Sequence, residues 1–363
     1  MEKTIEQQIY FDDLDGLIKA MTAETKKGKI LVAQIAPAVR FSIGECFGEK
    51  AGIDNTKKTI SLLKELGFDY VFDTPLGADL IVVDGVKNFL KMDLKHFEKF
   101  PVFTSCCIGW RRFAQKNYFY KKHLSKEVSP NMALGLTAKT FFANKIKKKA
   151  EQIVVVGIMP CTLKKYETLY EFKKGIKYVD YVVTTKELGA WAKKENIDFK
   201  TLKGHEFDYL HESSKEGLMF GASGGVTEAF LTALADKLGE KKEILFFRNN
   251  KRIKRQKVKI GDLELNVASV YGFGALVKLH REMDRGVTYH FVEVMQCPLG
   301  CVGGPGQPEA GFFKIKRRAK ELRRHASRKR EHSALENKTV DEISAYLEKK
   351  KISLHLHEHK EHK

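Results

Sequence analysis

The sequence has few cysteines, few prolines and no long hydrophobic run. Six cysteines in 363 residues are too few for a disulfide scaffold, and the eight prolines form no linker. The longest apolar run, Ile153–Met159, is far shorter than the roughly 20 residues that a membrane-spanning helix needs. The N-terminus lacks the basic, apolar and small-residue pattern of a secretory signal. We therefore expect a cytoplasmic protein with no membrane partner.

Acidic residues are scarce relative to basic ones. The chain has 65 Lys and Arg against 46 Asp and Glu, a formal charge of +19, and residues 314–363 alone carry 16 − 8 = +8. Such an excess is compatible with a nucleic acid, an anionic membrane or an acidic protein as partner, and its sign alone does not choose between them. We find no nucleic-acid recognition motif and expect no nucleic-acid partner. Most individual lysines are expected to form a solvated surface.

Short β-branched runs alternate with amphipathic segments along the chain. The first three predicted strands and their helices form a βαβαβ pattern, and a second such set follows, which predicts the α/β class. We expect two lobes of mostly parallel sheet flanked by helices, about 28–150 and 151–313, within one domain 1–313, and a basic helical tail 314–363 packing on them. The predicted strands are 29–35, 68–72, 101–104, 152–158, 178–184, 267–271 and 289–294, and the helices are 57–66, 78–90, 223–238 and 273–284.

Five of the six cysteines follow closely after a predicted strand. Parallel sheets bind ligands beyond the carboxyl ends of their strands, so these loops are suited to bring thiols together. Cysteine-only sites favour zinc or an iron-sulfur cluster, and the scarcity of paired Cys-x2-4-Cys knuckles favours the cluster. Cys46 is expected to be an ordinary buried thiol. The five strand-end cysteines are Cys106, Cys107, Cys161, Cys297 and Cys301.

Three long motifs containing these cysteines occur in a specific order. They are TSCCIGW at 104–110, MPCTLKKYE at 159–167 and EVMQCPLGCVGGPGQP at 293–308, with supporting pieces QIAPAVR at 34–40, SPNM at 129–132 and GASGGVTEA at 221–229. In these motifs the chain resembles the catalytic domain of FeFe-hydrogenases, from about Gln34 to the terminal LHLH at 354–357. The resemblance implies a minimal form of that enzyme without accessory iron-sulfur domains, which interconverts two protons, two electrons and hydrogen.

The resemblance implies a six-iron H-cluster in a cleft between the lobes. This group is a 4Fe-4S cubane joined by a thiolate to a two-iron site that carries CO, cyanide and azadithiolate. By position in the motifs, the cubane ligands are Cys107, Cys161, Cys297 and Cys301, with Cys301 as the bridge. Once five cysteines are assigned, only Cys46 remains, which excludes a further four-thiolate cluster in this sequence.

The resemblance also implies roles for residues that do not bind the iron atoms of the cubane. Cys106 would be the proton relay, Lys164 would hydrogen-bond a cyanide, and Met159 and Met295 would pack against the two-iron site. A buried cyanide carries negative charge that an ammonium group compensates, and thioethers suit a dry pocket. The other residues expected to line the cofactor are Ala36, Pro37, Ala38, Pro160, Gly300 and Gln307.

The chain departs from the family pattern where protons are expected to leave the site. Two positions that commonly hold glutamate are Gly85 and Asn88 here, and neither side chain can ionise. Asp84, Ser125 or water above Gly85 must then carry protons if turnover is fast. Smaller departures are Ile108 and Pro305, where the family has proline and glycine.

Three functions remain open from the sequence. The first is a ferredoxin-type hydrogenase that receives electrons directly from an acidic, ferredoxin-like carrier, since complementary charge raises encounter rates. The second is a hydrogen-sensing or slow-turnover relative, which Gly85 and Asn88 favour. The third is a non-catalytic iron-sulfur assembly scaffold, which Cys106 disfavours because that group lacks the relay cysteine. Maturases that insert the H-cluster are further implied partners, and the histidine-rich end, 355–362, is expected to be a solvated tail with weak chelating ability.

Overall fold

The computed structural model describes residues 14–92, 100–328 and 333–356. A π-helical turn, Ala138–Phe142, and 3-10 turns at Ile43–Phe47, Ala150–Gln152, Thr162–Leu169, Cys301–Gly303 and Ala334–Glu336 join the regular elements. The α-helices of the described residues are α1 Leu14–Lys26, α2 Pro37–Arg40, α3 Thr56–Glu65, α4 Pro75–Leu90, α5 Ile108–Gln115, α6 Tyr118–His123, α7 Pro130–Thr137, α8 Ala143–Lys145, α9 Thr185–Lys194, α10 Lys215–Met219, α11 Gly225–Leu238, α12 Phe273–Asp284, α13 Phe312–Ala326 and α14 Lys338–Lys349.

The strands confirm the α/β class that the sequence predicts. Among the described residues no helix has both the length and the apolar character needed to cross a membrane. The strands are β1 Ile30–Ile35, β2 Tyr70–Asp73, β3 Val102–Phe103, β4 Ile153–Met159, β5 Glu171–Lys173, β6 Ile176–Lys177, β7 Tyr181–Thr184, β8 Lys242–Asn250, β9 Ile253–Ile260, β10 Leu263–Tyr271 and β11 Phe291–Met295.

The chain forms two compact units, each assembled from three segments. Of the described residues, unit 1 comprises those within 14–74, 131–212 and 302–322, and unit 2 comprises those within 75–92, 100–130, 213–301, 323–328 and 333–356. The units therefore differ from the consecutive lobes 28–150 and 151–313 and from a separate tail 314–363, although α13 and α14 make the described part of that tail helical as expected.

Unit 1 contains a four-stranded parallel sheet in the order β2-β1-β4-β7. Its central strands β1 and β4 are aliphatic and β-branched and almost wholly buried, as expected for a parallel sheet covered on both faces. Helix α9 follows β7 through a capping box in which the Thr184 hydroxyl accepts from Glu187 N and the Glu187 carboxylate accepts from Thr184 N. The carboxyl ends of all four strands lie at one edge.

Unit 2 contains a five-stranded mixed sheet in the order β3-β11-β10-β9-β8. Strands β3, β11 and β10 are parallel, whereas β9 and β8 form an antiparallel hairpin on β10. An aromatic and aliphatic cluster that includes Phe103, Trp110 and Tyr120 packs beside the parallel strands.

The pairing of one predicted strand was wrong, and two hairpins were missed. The strand expected at 101–104 is β3, which pairs with β11 of unit 2 and does not extend the sheet of β1 and β2. The hairpins β5–β6 and β8–β9 were not predicted. Local pattern specifies that a segment is extended, but strand partners are chosen by tertiary packing.

Candidate metal centre

In unit 1, two predicted site segments leave neighbouring parallel strands at the same edge. Ile35 of β1 is in register with Ile158 of β4, and Ala36 N donates to Ile158 O at 3.0 Å. The Ala36-Pro37-Ala38 segment follows β1, and Pro37 begins helix α2, where proline's missing N–H costs nothing. Met159 ends β4 and is buried, and Pro160 and Cys161 follow it.

The segment after residue 302 packs directly on the Cys161 loop. Gly306 N donates to Pro160 O at 3.0 Å, and a Cβ at position 306 would lie 3.0 Å from Cys161 N. Gln307 is buried; its Nε2 donates to Ala38 O at 3.1 Å, and its Oε1 accepts from Ser42 Oγ at 2.5 Å. Unit 1 therefore brings together Ala38, Pro160, Cys161 and Gln307.

Lys164 belongs to a buried polar network that the sequence did not predict. Its Nζ lies 2.6 Å from Glu167 Oε1, and Asn131 Nδ2 donates to Glu167 Oε2 at 2.8 Å. Gln34 Nε2 of β1 donates to Asn131 Oδ1 at 2.6 Å. The Lys164 backbone N donates to Cys161 O at 3.2 Å, which holds Lys164 close to Cys161. Glu167 in turn fixes the position of the Lys164 ammonium. The i, i+3 spacing of Lys164 and Glu167 was the signal for this pair.

In unit 2, four predicted site residues lie at the carboxyl ends of two neighbouring parallel strands. Cys106 and Cys107 follow β3, whereas Met295 ends β11 and Cys297 follows it. Cys107 is the N-cap of α5 and packs on the aromatic and aliphatic cluster of unit 2. Thr104, which precedes the two cysteines, accepts a hydrogen bond at its backbone O from Trp110 Nε1 at 2.8 Å. Met295 is buried.

The Cys297–Cys301 loop is held by the backbone before α11. Ser223 N donates to Leu299 O at 2.9 Å, and Gly300 N donates to Cys297 O at 3.2 Å. Gly300 has φ +96°, and a Cβ there would lie 2.6 Å from Ser223 N. Only glycine fits this position, because an L side chain meets both backbone strain and a steric clash.

Cys106 borders a small, partly open cavity in unit 2. The cavity has a volume of about 50 Å³ and is lined also by Gly85, Ser105, Ser125 and Glu127. A Cβ on Gly85 would lie 3.8 Å from Glu127 Oε1, so the Glu127 carboxylate lies over the glycine. Sequence reasoning missed Glu127, which is two residues after Ser125.

The donor set of the cysteines fits an iron-sulfur group. All six cysteines are partly buried and none forms a disulfide. Within unit 2, Cys107, Cys297 and Cys301 lie at one edge of the sheet, and within unit 1, Cys161 follows β4. Thiolates are the ligands of iron-sulfur clusters, and Gly300 and Gly306 leave close backbone approaches that a side chain would block.

Comparison with known proteins decides the family. Residues 29–305 match the family described as iron only hydrogenase large subunit, C-terminal domain. The chain belongs to the iron-only hydrogenase family. It is 40% identical over 293 residues to the NADP-reducing hydrogenase subunit HndD of Solidesulfovibrio fructosivorans, covering 77% of this chain and 50% of the relative. It is 36% identical to iron hydrogenase 1 of Clostridium pasteurianum, covering 81% and 52%.

The chain therefore spans about half the length of these two curated hydrogenases. A more distant relative, 29% identical over 80% of this chain and 71% of its own length, is a probable cytosolic Fe-S cluster assembly factor of Nematostella vectensis. The relatives of this family member thus include both hydrogenases and an assembly factor.

Solved FeFe-hydrogenases have the same fold. A structure described in terms of oxygen inactivation through the 2Fe subcluster of the H cluster has a TM-score of 0.76 and 28% identity, covering 90% of this chain and 94% of that one. The hydrogenase HydA1 of Chlamydomonas reinhardtii, in a variant form, has a TM-score of 0.74 and 29% identity, covering 87% and 89%. The resemblance carried by the three motifs is confirmed at the level of family and fold.

One cysteine of this family member is placed apart from the motif loops. Cys46 packs on α9, where a Cβ on Gly189 would lie 2.7 Å from its Sγ. Burial raises the pKa of the Cys46 thiol, which keeps it protonated and apolar. The structure gives Cys46 the environment of a packed, partly buried thiol.

Proposed function

We propose that this protein is an FeFe-hydrogenase that reversibly interconverts two protons and two electrons with hydrogen. Cys107, Cys161, Cys297 and Cys301 would hold the 4Fe-4S part of an H-cluster, with Cys301 as the bridge to the two-iron part. When bound, that group supplies the redox chemistry and the site at which hydrogen is formed or split.

The surrounding residues control charge and water at the site. The Lys164 ammonium, fixed by Glu167, supplies a partly buried positive charge for a cyanide ligand. Met159 and Met295 are buried thioethers that keep water away from their strand ends. The Ala36-Pro37-Ala38 segment offers small apolar side chains, so it provides a wall without competing donors.

The observation that carries the proposal is the cavity beside Cys106. Proton reduction needs a group that transfers protons at the site, and Cys106 borders a space that is also lined by Glu127 and by three residues with hydroxyl groups. An assembly scaffold has no need of this arrangement. The higher identity to hydrogenases, 36–40% against 29% for the assembly factor, supports the same choice.

The test uses the matured full chain and the variant Cys106→Ala. We expect bound CO and cyanide infrared bands and hydrogen evolution from reduced methyl viologen in the parent. Because a proton-transfer group contributes roughly 10²–10⁴-fold to a rate, Cys106→Ala should keep the bands and lose most activity. Bands without activity in the parent would favour hydrogen sensing. Iron without CO or cyanide bands after maturation would favour the assembly scaffold.

A basic recess in unit 2 supports an acidic electron carrier as partner. The recess has a volume of about 550 Å³ and is lined by Leu299, which lies between Cys297 and Cys301, and by the cations Lys215, Lys251, Arg252, Lys254 and Arg323. Glu216 and Glu228 are its carboxylates, so positive charge predominates. An acidic ferredoxin-like protein docked here would face the loop with two of the four proposed ligands, and opposite charge would speed its encounter.

A further inference from the structure

Helix α4 has Gly85 and Asn88 where the resemblance to FeFe-hydrogenases implies two glutamates, yet carboxylates surround the same positions. Asn88 Nδ2 donates to Glu127 Oε1 at 3.0 Å and to Asp84 Oδ2 at 3.2 Å. Glu127 is buried and belongs to another segment of the chain, which follows α6. The absence of a side chain at position 85 leaves the space into which the Glu127 carboxylate projects.

The inner end of this arrangement is the cavity that Cys106 borders. Its volume of about 50 Å³ is enough for a few water molecules, and Ser105, Ser125 and Glu127 supply polar groups to hold them. The Ser125 hydroxyl donates to Glu127 Oε2, and the Ser105 hydroxyl donates to Glu127 O at 2.7 Å. Glu127 therefore connects the cavity wall with Asn88.

The outer end is His355, whose position is set by backbone pairing with the Glu127 segment. Val128 N donates to Leu354 O at 2.9 Å, and Leu356 N donates to Lys126 O at 3.0 Å. The His355 side chain is 36% exposed, so its imidazole reaches solvent. Single atoms of Asp84, Glu127 and His355 lie within 4.8 Å of one another, a span that one water molecule bridges.

The same ring nitrogen of His355 has a partner for each protonation state. Nε2 lies 2.9 Å from Asp84 Oδ2, which can only accept from a protonated ring nitrogen. It also lies 2.9 Å from Asn88 Nδ2, which donates to the neutral nitrogen. His355 Nε2 therefore has a hydrogen-bond partner in either protonation state. Because the Asn88 amide has only two N–H groups, it gives up its bond to Asp84 or to Glu127 when it donates to the neutral ring.

We propose that Glu127 and the His355–Asp84 pair form a relocated proton path in unit 2, which replaces the path that Gly85 and Asn88 interrupt. In the outward direction, a proton that leaves the site is carried by a protonated cavity water, whose O–H bond breaks as Glu127 gains the proton and a neutral water remains. The Glu127 O–H bond then breaks as His355 Nε2 gains it through one bridging water, and the imidazolium N–H passes it to solvent. One proton moves and no electron is transferred.

The charges that face His355 are consistent with this exchange. Asp84 and Glu127 raise the pKa of His355, chiefly through the Asp84 hydrogen bond, while Lys126 and partial burial lower it. Lys87 of α4 forms an ion pair with Glu348 of α14. This pair adds one positive and one negative charge, and so no net charge. The Glu348 carboxylate is therefore a suitable control close to the path.

This inference rests on the proposed hydrogenase function, and the experiment separates the two. The matured full chain is compared with Glu127→Gln, His355→Gln and the control Glu348→Gln. We expect Glu127→Gln to retain CO and cyanide bands while hydrogen evolution falls by about 10²-fold or more, and Glu348→Gln to match the parent. The double variant Gly85→Glu/Glu127→Gln returns a carboxylate to the cavity and should regain most of the rate. Parent-like turnover of Glu127→Gln with intact bands overturns the path.

A second readout does not depend on turnover. In the full chain with ¹³Cε1-labelled histidine, the signal that disappears in His355→Gln reports this ring. We expect its pKa to lie above 6.5 in the parent and to fall in both Asp84→Asn and Glu127→Gln, because each loses a negative charge that faces His355. If the His355 pKa is the same in the parent and in Glu127→Gln, the coupling between the two residues is overturned, even if the protein proves inactive. An inactive parent whose His355 titrates as expected refutes only the proposed function.

Discussion

The Lys164 ammonium lies 2.6 Å from the Glu167 carboxylate, and the two side chains are only 12% and 2% exposed. Asn131 accepts from Gln34 through one amide atom and donates to Glu167 through the other. A cation beside Cys161 is thus held by a chain of groups that begins in β1. The Glu167 carboxylate therefore balances the charge of the Lys164 ammonium in a largely buried position.

Removal of the Glu167 charge should destabilise the protein. Loss of one partner of a buried ion pair typically costs about 3–5 kcal/mol, and we expect Glu167→Gln near the lower end because Lys164 retains some exposure. Urea unfolding measures the change. The control is Glu206→Gln in the Lys57–Glu206 pair, whose side chains are 64% and 73% exposed and which should change stability by less than about 1 kcal/mol. Equal effects would contradict the role of Glu167.

Alanine at position 300 should prevent the Cys297–Cys301 loop from closing. In Gly300→Ala, the backbone has φ +96° and the new Cβ would lie 2.6 Å from Ser223 N. In the control Gly239→Ala, φ is +67° and the new Cβ would have no atom within 4 Å. The control should cost only the left-handed strain of about 1–2 kcal/mol. Gly300→Ala should cost more and also reduce bound iron after reconstitution. Normal iron content in Gly300→Ala would show that the loop tolerates the clash.

Alanine at position 85 should stabilise helix α4. Gly85 lies inside the helix, and its Cβ would make ordinary contact with Glu127, so Gly85→Ala should gain about 0.5–1 kcal/mol. Gly217→Ala is the contrasting variant, because its Cβ would lie 2.7 Å from Pro75 O and 2.5 Å from Asp79 Oδ1. It should be destabilising. Thermal unfolding of both variants checks the opposite signs.

The His355–Asp84 pair should make stability depend on pH near neutrality. The pKa of His355 is raised above 6.5, so the folded protein binds this proton more tightly than the unfolded chain. This contribution is fully present below pH 6.5 and is lost as pH rises through the raised pKa. In Asp84→Asn the corresponding decline should be smaller. An identical pH profile of unfolding in both proteins would exclude the linkage.

Added salt should affect the activity with the proposed protein carrier more than the activity with a small reductant. Screening limits surface charge to a range of about 8 Å at physiological ionic strength, so ferredoxin-driven activity should fall with added salt while viologen-driven activity hardly changes. Lys251→Glu, in the basic recess, should raise the KM for ferredoxin. Lys259→Glu carries the same charge change on β9 without lining that recess and should have a smaller effect. Equal responses would place the docking surface elsewhere.

The sequence by itself determined the local elements and the chemical identity of the site. β1, β4 and α12 lie within a residue or so of their expected bounds, because aliphatic strand patterns and amphipathic helical periodicity are local properties. The cysteine motifs carried enough local information to predict the family, now confirmed. The ligand assignments remain predictions, and the structure supports their placement at strand ends within each unit.

Tertiary structure decided which distant segments meet. Strand β3 was expected beside β1 and β2, but Val102 is in register with Phe291 of β11. Glu127 and His355 show the same limit at the site, because they form an antiparallel backbone bridge although they lie far apart in the sequence. No spacing rule links a glutamate after Ser125 with a histidine near the C-terminus. Strand partners and side-chain neighbours depend on how the whole chain buries its apolar surface, and only the folded molecule specifies that.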